Sequence, residues 1–89
     1  MKIAVYTNSI EKDLKLMIKR GYDKENIKAV IHKLIAEMPL ERKHRDHLLI
    51  GNVKDRRECH IEPDWLLIYR LEENLIIFER TGKHADLFR

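Results

Sequence analysis

What the chain has little of narrows the field first. It contains one cysteine, Cys59, so no disulfide can form within it, and a reducing cytoplasm is the expected setting. Its 3 glycines and 2 prolines exclude a fibrous repeat and argue against disorder. No apolar run approaches the roughly 20 residues of a membrane-spanning helix. The opening Met1-Lys2-Ile3-Ala4-Val5-Tyr6-Thr7 has too short an apolar stretch for a signal peptide. No glycine-rich phosphate loop and no Gly-x-Ser-x-Gly elbow is present. Metal ligation is disfavoured too. Cys59, His47, His60 and His84 lack close-pair spacing, and Cys59 and His60, adjacent on a strand, point to opposite faces.

What is present is charge. Lysine and arginine number 18 and the acidic residues 15 in 89 residues, leaving a net +3, and five histidines can add to it beside a polyanion. The length fits one domain spanning residues 1–89. The basic balance points to an acidic partner, either nucleic acid or an acidic protein. Residues 42–57 are the most basic window, with Arg42, Lys43, Arg45, Lys54, Arg56 and Arg57 against Asp46 and Asp55. A solvated loop and a phosphate-contact surface both fit it.

Periodicity supplies the elements. Ile3 and Val5 alternate in an opening strand. Ile10, Leu14, Met17 and Ile18 form one helical face, with Asn8 or Ser9 as the expected N-cap and Gly21 as the stop. Asp23 caps a second helix, whose stripe is Ile27, Val30, Ile31, Leu34 and Ile35; Met38 extends it and Pro39 ends it. The short connection predicts an antiparallel helix hairpin. From Arg56 to Glu62, Cys59 and Ile61 face one way and Glu58, His60 and Glu62 the other. Pro63-Asp64 breaks the run. Trp65 to Leu71 and Leu75 to Arg80 are strands apolar on both faces, joined by a turn at Glu72-Glu73-Asn74, and therefore central. The ending has room for one helical turn. The order β-α-α-β-β-β predicts an α+β fold: an N-terminal strand and an antiparallel helix hairpin packed on a mainly antiparallel four-stranded sheet.

His47, His60 and His84, with Asp64 and Arg80, suit RNA cleavage without a metal. The 2′-hydroxyl attacks the neighbouring phosphorus, so a base, an acid and a cation are needed. Histidine moves protons near neutral pH, and arginine grips phosphate oxygens with a fixed fork. Trp65 and Phe88 can stack on a splayed base. Each residue also has an ordinary reading: Trp65 as a core anchor, Phe88 as a cap on the core, Asp64 as a turn residue, Arg80 paired to a carboxylate, His47 and His60 solvated. His32 and His44 have no special claim, and Cys59 packs as a small apolar group.

Two longer blocks go further. Arg57-Glu58-Cys59-His60-Ile61-Glu62-Pro63-Asp64-Trp65-Leu66-Leu67-Ile68-Tyr69-Arg70 and Arg80-Thr81-Gly82-Lys83-His84-Ala85-Asp86-Leu87-Phe88 resemble the signature of YafQ-type toxins of the RelE superfamily. Lys12-Asp13-Leu14-Lys15 and Asp46-His47-Leu48-Leu49-Ile50-Gly51 match in order. The resemblance implies a RelE-like fold and a bacterial, cytoplasmic toxin of a type II toxin–antitoxin pair. Such a toxin cuts mRNA, usually in the ribosomal A site, without cofactor or metal. Implied partners are a DinJ-like antitoxin, the ribosome and mRNA, with operator DNA reached only through the antitoxin complex and no membrane partner.

Carried over by position, His84 becomes the general acid, and His60 or Asp64 the base. Arg80 becomes the transition-state cation, and His47 a positioning or polarising group. Trp65 and Phe88 shape the pocket. Arg42, Lys43, Arg45, Lys54 and Lys83 are the expected RNA contacts. The chain departs from the family pattern at Asn52-Val53-Lys54-Asp55-Arg56, with Asp55 where relatives have glycine. The alternative is a ParE-like toxin that binds DNA gyrase without nuclease chemistry; such relatives generally lack the histidine set. An inactive module that only sequesters antitoxin is a third reading.

Overall fold

The computed structural model describes residues 1–49 and 56–88. Lys54 and Asp55 therefore lie outside the described residues. The chain opens with β1 (Ile3–Tyr6), followed by α1 (Asn8–Lys19) and α2 (Lys24–Ile35). The N-cap of α1 is Thr7 rather than Asn8 or Ser9: its hydroxyl oxygen accepts the Ile10 N–H at 3.1 Å. That hydroxyl also donates to the Glu79 carbonyl at 2.8 Å, a long-range tie that local capping preferences do not contain. Gly21 ends the hairpin's first arm at φ +98, where a Cβ is strained. Asp23 caps α2 as expected, accepting the Glu25 N–H at 2.9 Å. The helix stops at Ile35, short of Met38 and Pro39: Glu37 turns left-handed at φ +59, and Met38 is exposed.

A single turn of 3-10 helix (Arg42–His44) leads into β2 (His47–Leu48), then β3 (Arg56–Glu62), β4 (Trp65–Leu71), β5 (Leu75–Gly82) and α3 (His84–Leu87). The sheet order is β1-β5-β4-β3-β2. All four expected strands are present, and β2 adds a fifth inside the stretch read as loop. Two residues are too few to show a period, and β2 is identified by its pairing with β3. β1 pairs with β5 in parallel; the other pairs are antiparallel.

The helices cover one face. Ile10, Met17, Ile27, Val30 and Leu34 meet Cys59, Ile61, Trp65, Leu67, Tyr69, Ile76 and Phe78. Trp65 is 0% exposed, with its indole N–H donating to Thr81 Oγ1 at 2.8 Å and the edge of Tyr22 against its ring. The Thr81 hydroxyl in turn donates to the Leu66 carbonyl at 2.6 Å. The stacking role expected of Trp65 is thereby overturned, because its ring is wholly within the core and presents no free face to a base.

A second group joins Asp46 and Arg57 to the buried Tyr69. The Tyr69 hydroxyl donates to Asp46 at 2.5 Å, and Arg57 pairs with the same carboxylate at 3.3 Å. Burial pushes both the Tyr69 phenol and the Cys59 thiol well above their ordinary ranges. No helix among the described residues is long and apolar enough to cross a membrane.

Two measurements check this core. Emission from the single tryptophan should resist iodide quenching until the protein unfolds, and Trp65→Ala should lower stability in urea by about 3–5 kcal/mol. The raised Cys59 and Tyr69 pKa values fix the alkaline behaviour. The unfolded thiol ionises near its ordinary 9.0, whereas the folded one stays protonated. Stability is therefore complete below about pH 9 and falls above it, by about 1.4 kcal/mol per pH unit for each such group. Melting temperatures from pH 8 to 11 should show that fall, and Cys59→Ala should make it shallower.

Candidate active site

The face opposite the helices carries the chemistry, and strand register decides what stands on it. His47 on β2 lies opposite Glu58 on β3, Glu58 opposite Ile68 on β4, and Ile68 opposite Arg80 on β5. Directly opposed residues share a face, so these four side chains form one row across the sheet. At roughly 4.8 Å per strand the row spans on the order of 14 Å between its end Cα atoms. The next row is His60, Leu66 and Gly82, with His84 two residues on at the start of α3.

Glu58 joins the histidines. Its Oε1 lies 3.8 Å from His47 Nε2 and 3.6 Å from His60 Nε2, and the residue is 8% exposed. Nδ1 of His47 sits 2.5 Å from the Arg45 carbonyl. A carbonyl only accepts, so Nδ1 carries a proton, and Nε2 is turned toward Glu58. His60 is oriented the same way, with Nδ1 3.4 Å from the Pro63 carbonyl. Two imidazoles thus present Nε2 to a single carboxylate. His44 supports the arrangement from behind. It is buried, and its Nδ1–H donates to the His60 carbonyl at 2.6 Å, next to the bulge between His60 and Glu62.

Beyond this group is a cleft of about 420 Å³, lined by Thr7, Ser9, Leu49, Arg56, Ile68, Glu79, Arg80, Leu87 and Phe88. Arg80 is clamped by Asp13 of α1, with Nε 2.6 Å and Nη2 3.2 Å from the two carboxylate oxygens. Those bonds and the Asp13 charge raise the guanidinium further above its already high pKa, so it is a permanent cation. Phe88 borders the cleft, and its ring packs on exposed His84 with centroids 4.9 Å apart. α3 is moored by Asp86, which accepts from Arg20 at 2.7 Å.

The register therefore places His47 and Arg80 in one row with His60 in the next, while Phe88 borders the cleft beside Arg80 and carries His84 against its ring. It does not gather all the expected residues. Asp64 sits in the β3–β4 turn, largely exposed, 3.4 Å from Lys83 Nζ, so these two pair with each other at one end of the sheet. Arg42, Lys43 and Arg45 are exposed on the 3-10 turn and the residue after it, Lys43 with Glu41 at 3.5 Å. Glu58 was the residue missed. Its signal was available, since alternation places it on the His60 face two residues away, but its contact with His47 depends on β2, which the pattern does not reveal. His44 carried no signal; its partner is a backbone atom 16 residues away.

Comparison with known proteins follows the same lines. Residues 2–89 match the family model described as bacterial toxin of type II toxin-antitoxin system, YafQ. The curated mRNA interferase toxin YafQ of Escherichia coli K12 is 45% identical over 84 residues, covering 93% of this chain and 91% of that one. The toxin fold in the crystal structure of the E. coli DinJ–YafQ complex superposes with a TM-score of 0.93 at 41% identity, covering both chains fully. YafQ from E. coli BL21(DE3) gives 0.94 at 40% identity, again over both whole chains. By the near-complete match to the family model, and by a relative 45% identical over 93% of its length, the chain belongs to the YafQ family of type II toxin–antitoxin toxins.

Proposed function

We propose that this chain is an mRNA endoribonuclease, the toxin of a type II pair, that cuts on the ribosome and is neutralised by a DinJ-like antitoxin. The observation that carries the chemistry is the in-register row His47–Glu58–Ile68–Arg80, flanked by His60 and His84. It supplies proton acceptors on one side of a permanent cation and a proton donor on the other. A toxin acting only by binding DNA gyrase has no use for such a row.

In this reading the RNA lies across the row with its scissile phosphate at Arg80. The 2′-hydroxyl loses its proton to His60 Nε2 as its oxygen attacks phosphorus. Glu58 stabilises the imidazolium formed, and His47 shares that carboxylate. Asp64, turned to Lys83, is the less suitable of the two candidate bases. Arg80 faces the extra negative charge of the pentacovalent phosphorus, held still by Asp13 so that no reorientation is needed at the moment of reaction. Protonated His84 gives its proton to the leaving 5′-oxygen. The products are a 2′,3′-cyclic phosphate and a free 5′-hydroxyl, with protons conserved through the two histidines. Phe88 stacks on a base and orients His84. In this reading side chains move every proton and no metal takes part.

Growth arrest and primer extension on cellular mRNA test the reading. His84→Ala should fold normally and lose cleavage by 10²–10⁴-fold, the usual contribution of a general acid. Equal arrest by wild type and variant would remove the proposed role of His84. Glu58→Gln should lower the rate at saturating substrate, because the imidazolium formed in the reaction loses its neighbouring carboxylate. Reversal of charge at Arg42, Lys43 and Arg45 together should weaken ribosome association more steeply as salt rises; binding unchanged over a salt series would exclude that turn as an RNA contact.

A further inference from the structure

The proposed reaction uses one arginine of the cleft, yet the cleft contains two of the same build. Arg56 is held by Glu79 through Nε and Nη2, the latter at 3.1 Å, just as Arg80 is held by Asp13 through its own Nε and Nη2. Both pairs are bidentate, and both guanidinium side chains remain partly open, 37% and 43% exposed. Each guanidinium has five N–H donors, so a carboxylate engaging Nε and Nη2 leaves donors for another acceptor. Arg56 stands on β3 two residues before Glu58 and four before His60, on the same face, and both it and Arg80 border the same cleft beside Phe88.

A second feature marks this position. Arg56 lies directly opposite Arg70 on β4. Like charges opposed across an antiparallel pair are destabilising. Glu79 and Glu72 offset them, the latter 3.3 Å from Arg70, but Arg70 Nε stays buried without a hydrogen-bond partner among the described residues. Two opposed cations, one with an orphaned donor, make a place where an anion relieves an existing cost.

We propose that Arg56, braced by Glu79 and opposed by Arg70, is a second phosphate-binding position that takes the RNA phosphate adjacent to the one at Arg80. This rests on the reading of the chain as an RNA-cleaving toxin. Arg56 and Arg80 align with β4 positions 70 and 68, so the two phosphates would run obliquely over β3 to β5. Holding two successive phosphates fixes both the position and the polarity of the strand, placing the 2′-hydroxyl on the histidine–Glu58 side.

The test separates this site from the chemistry by using a short RNA with 2′-deoxyribose at the cleaved nucleotide, which binds and is not cut. Its dissociation constant is measured by fluorescence anisotropy over a salt series, for wild type and for Arg56→Gln/Glu79→Gln. The double variant removes both charges and keeps the local net charge, and a thermal melt verifies that it folds. We expect about tenfold weaker binding for every RNA sequence tried, and a salt slope shallower by about 0.7, the value for one lost phosphate contact on a single strand. An unchanged dissociation constant and slope would overturn the site, as would failure of the wild type to bind at low salt. A loss confined to RNAs with guanine at one position would overturn it in favour of base reading. Loss of cutting in His84→Ala, measured by primer extension on translated mRNA, reports on the proposed function separately.

Discussion

The register of β4 against its two neighbours is the constraint on which the rest of the molecule depends. β4 is buried on both faces over most of its length, and alternate residues serve opposite purposes. Trp65, Leu67 and Tyr69 go to the helices; Leu66, Ile68 and Arg70 go to the face of the cleft. A slip of one residue would exchange the two sets, sending Trp65 into the cleft and Ile68 into the core. The hydrogen-bonded chain from Trp65 through Thr81 to the Leu66 carbonyl ties β4 to β5 at one register only. Because Glu58 and Arg80 both stand opposite Ile68, that same register sets the distance between the Glu58 carboxylate and the Arg80 guanidinium.

The carboxylates that arrange the site come from different elements, and each acts on a charged or titratable partner. Asp13 reaches from α1 to Arg80 and to the Thr81 N–H, Glu79 holds Arg56 within the cleft, and Glu58 stands between two imidazoles. The net charge of the chain is small because basic groups of the face are matched in this way. What the matching supplies is orientation. An arginine fork fixed by a carboxylate loses little rotational freedom when it meets a phosphate, whereas a free surface lysine loses more.

Much of this was legible in the amino-acid order. The two helical stripes, the strand alternation from Arg56 to Glu62 and the doubly apolar strands gave the layers, since each depends on a period that a local run displays. The histidines and Arg80 were found through their chemistry and through family resemblance. What escaped depends on contacts distant in the chain. β2 has two residues and no period. Thr7 caps α1 because β5 accepts its hydroxyl proton. Glu58 looked like one polar residue among several until β2 brought His47 beside it. Trp65 was ambiguous because aromatic rings serve both cores and base platforms, and only its 0% exposure separates the two. The basic window also divides once it is folded: Arg57 turns to Tyr69 and Asp46, while its neighbour Arg56 turns to the cleft.

The parallel pairing of β1 with β5 has a kinetic consequence. The strand that joins the beginning of the chain to the rest of the sheet is the last one, inserted between β1 and β4. Until it is in place β1 has no strand partner, Thr7 lacks the carbonyl to which it donates, and Asp13 has no arginine to hold. A chain emerging N-terminus first therefore carries a helix hairpin and a partial sheet before Arg80 and His84 are in place. The face that carries His47, Glu58 and Arg80 is therefore completed by contacts of high sequence separation, the kind that form slowly.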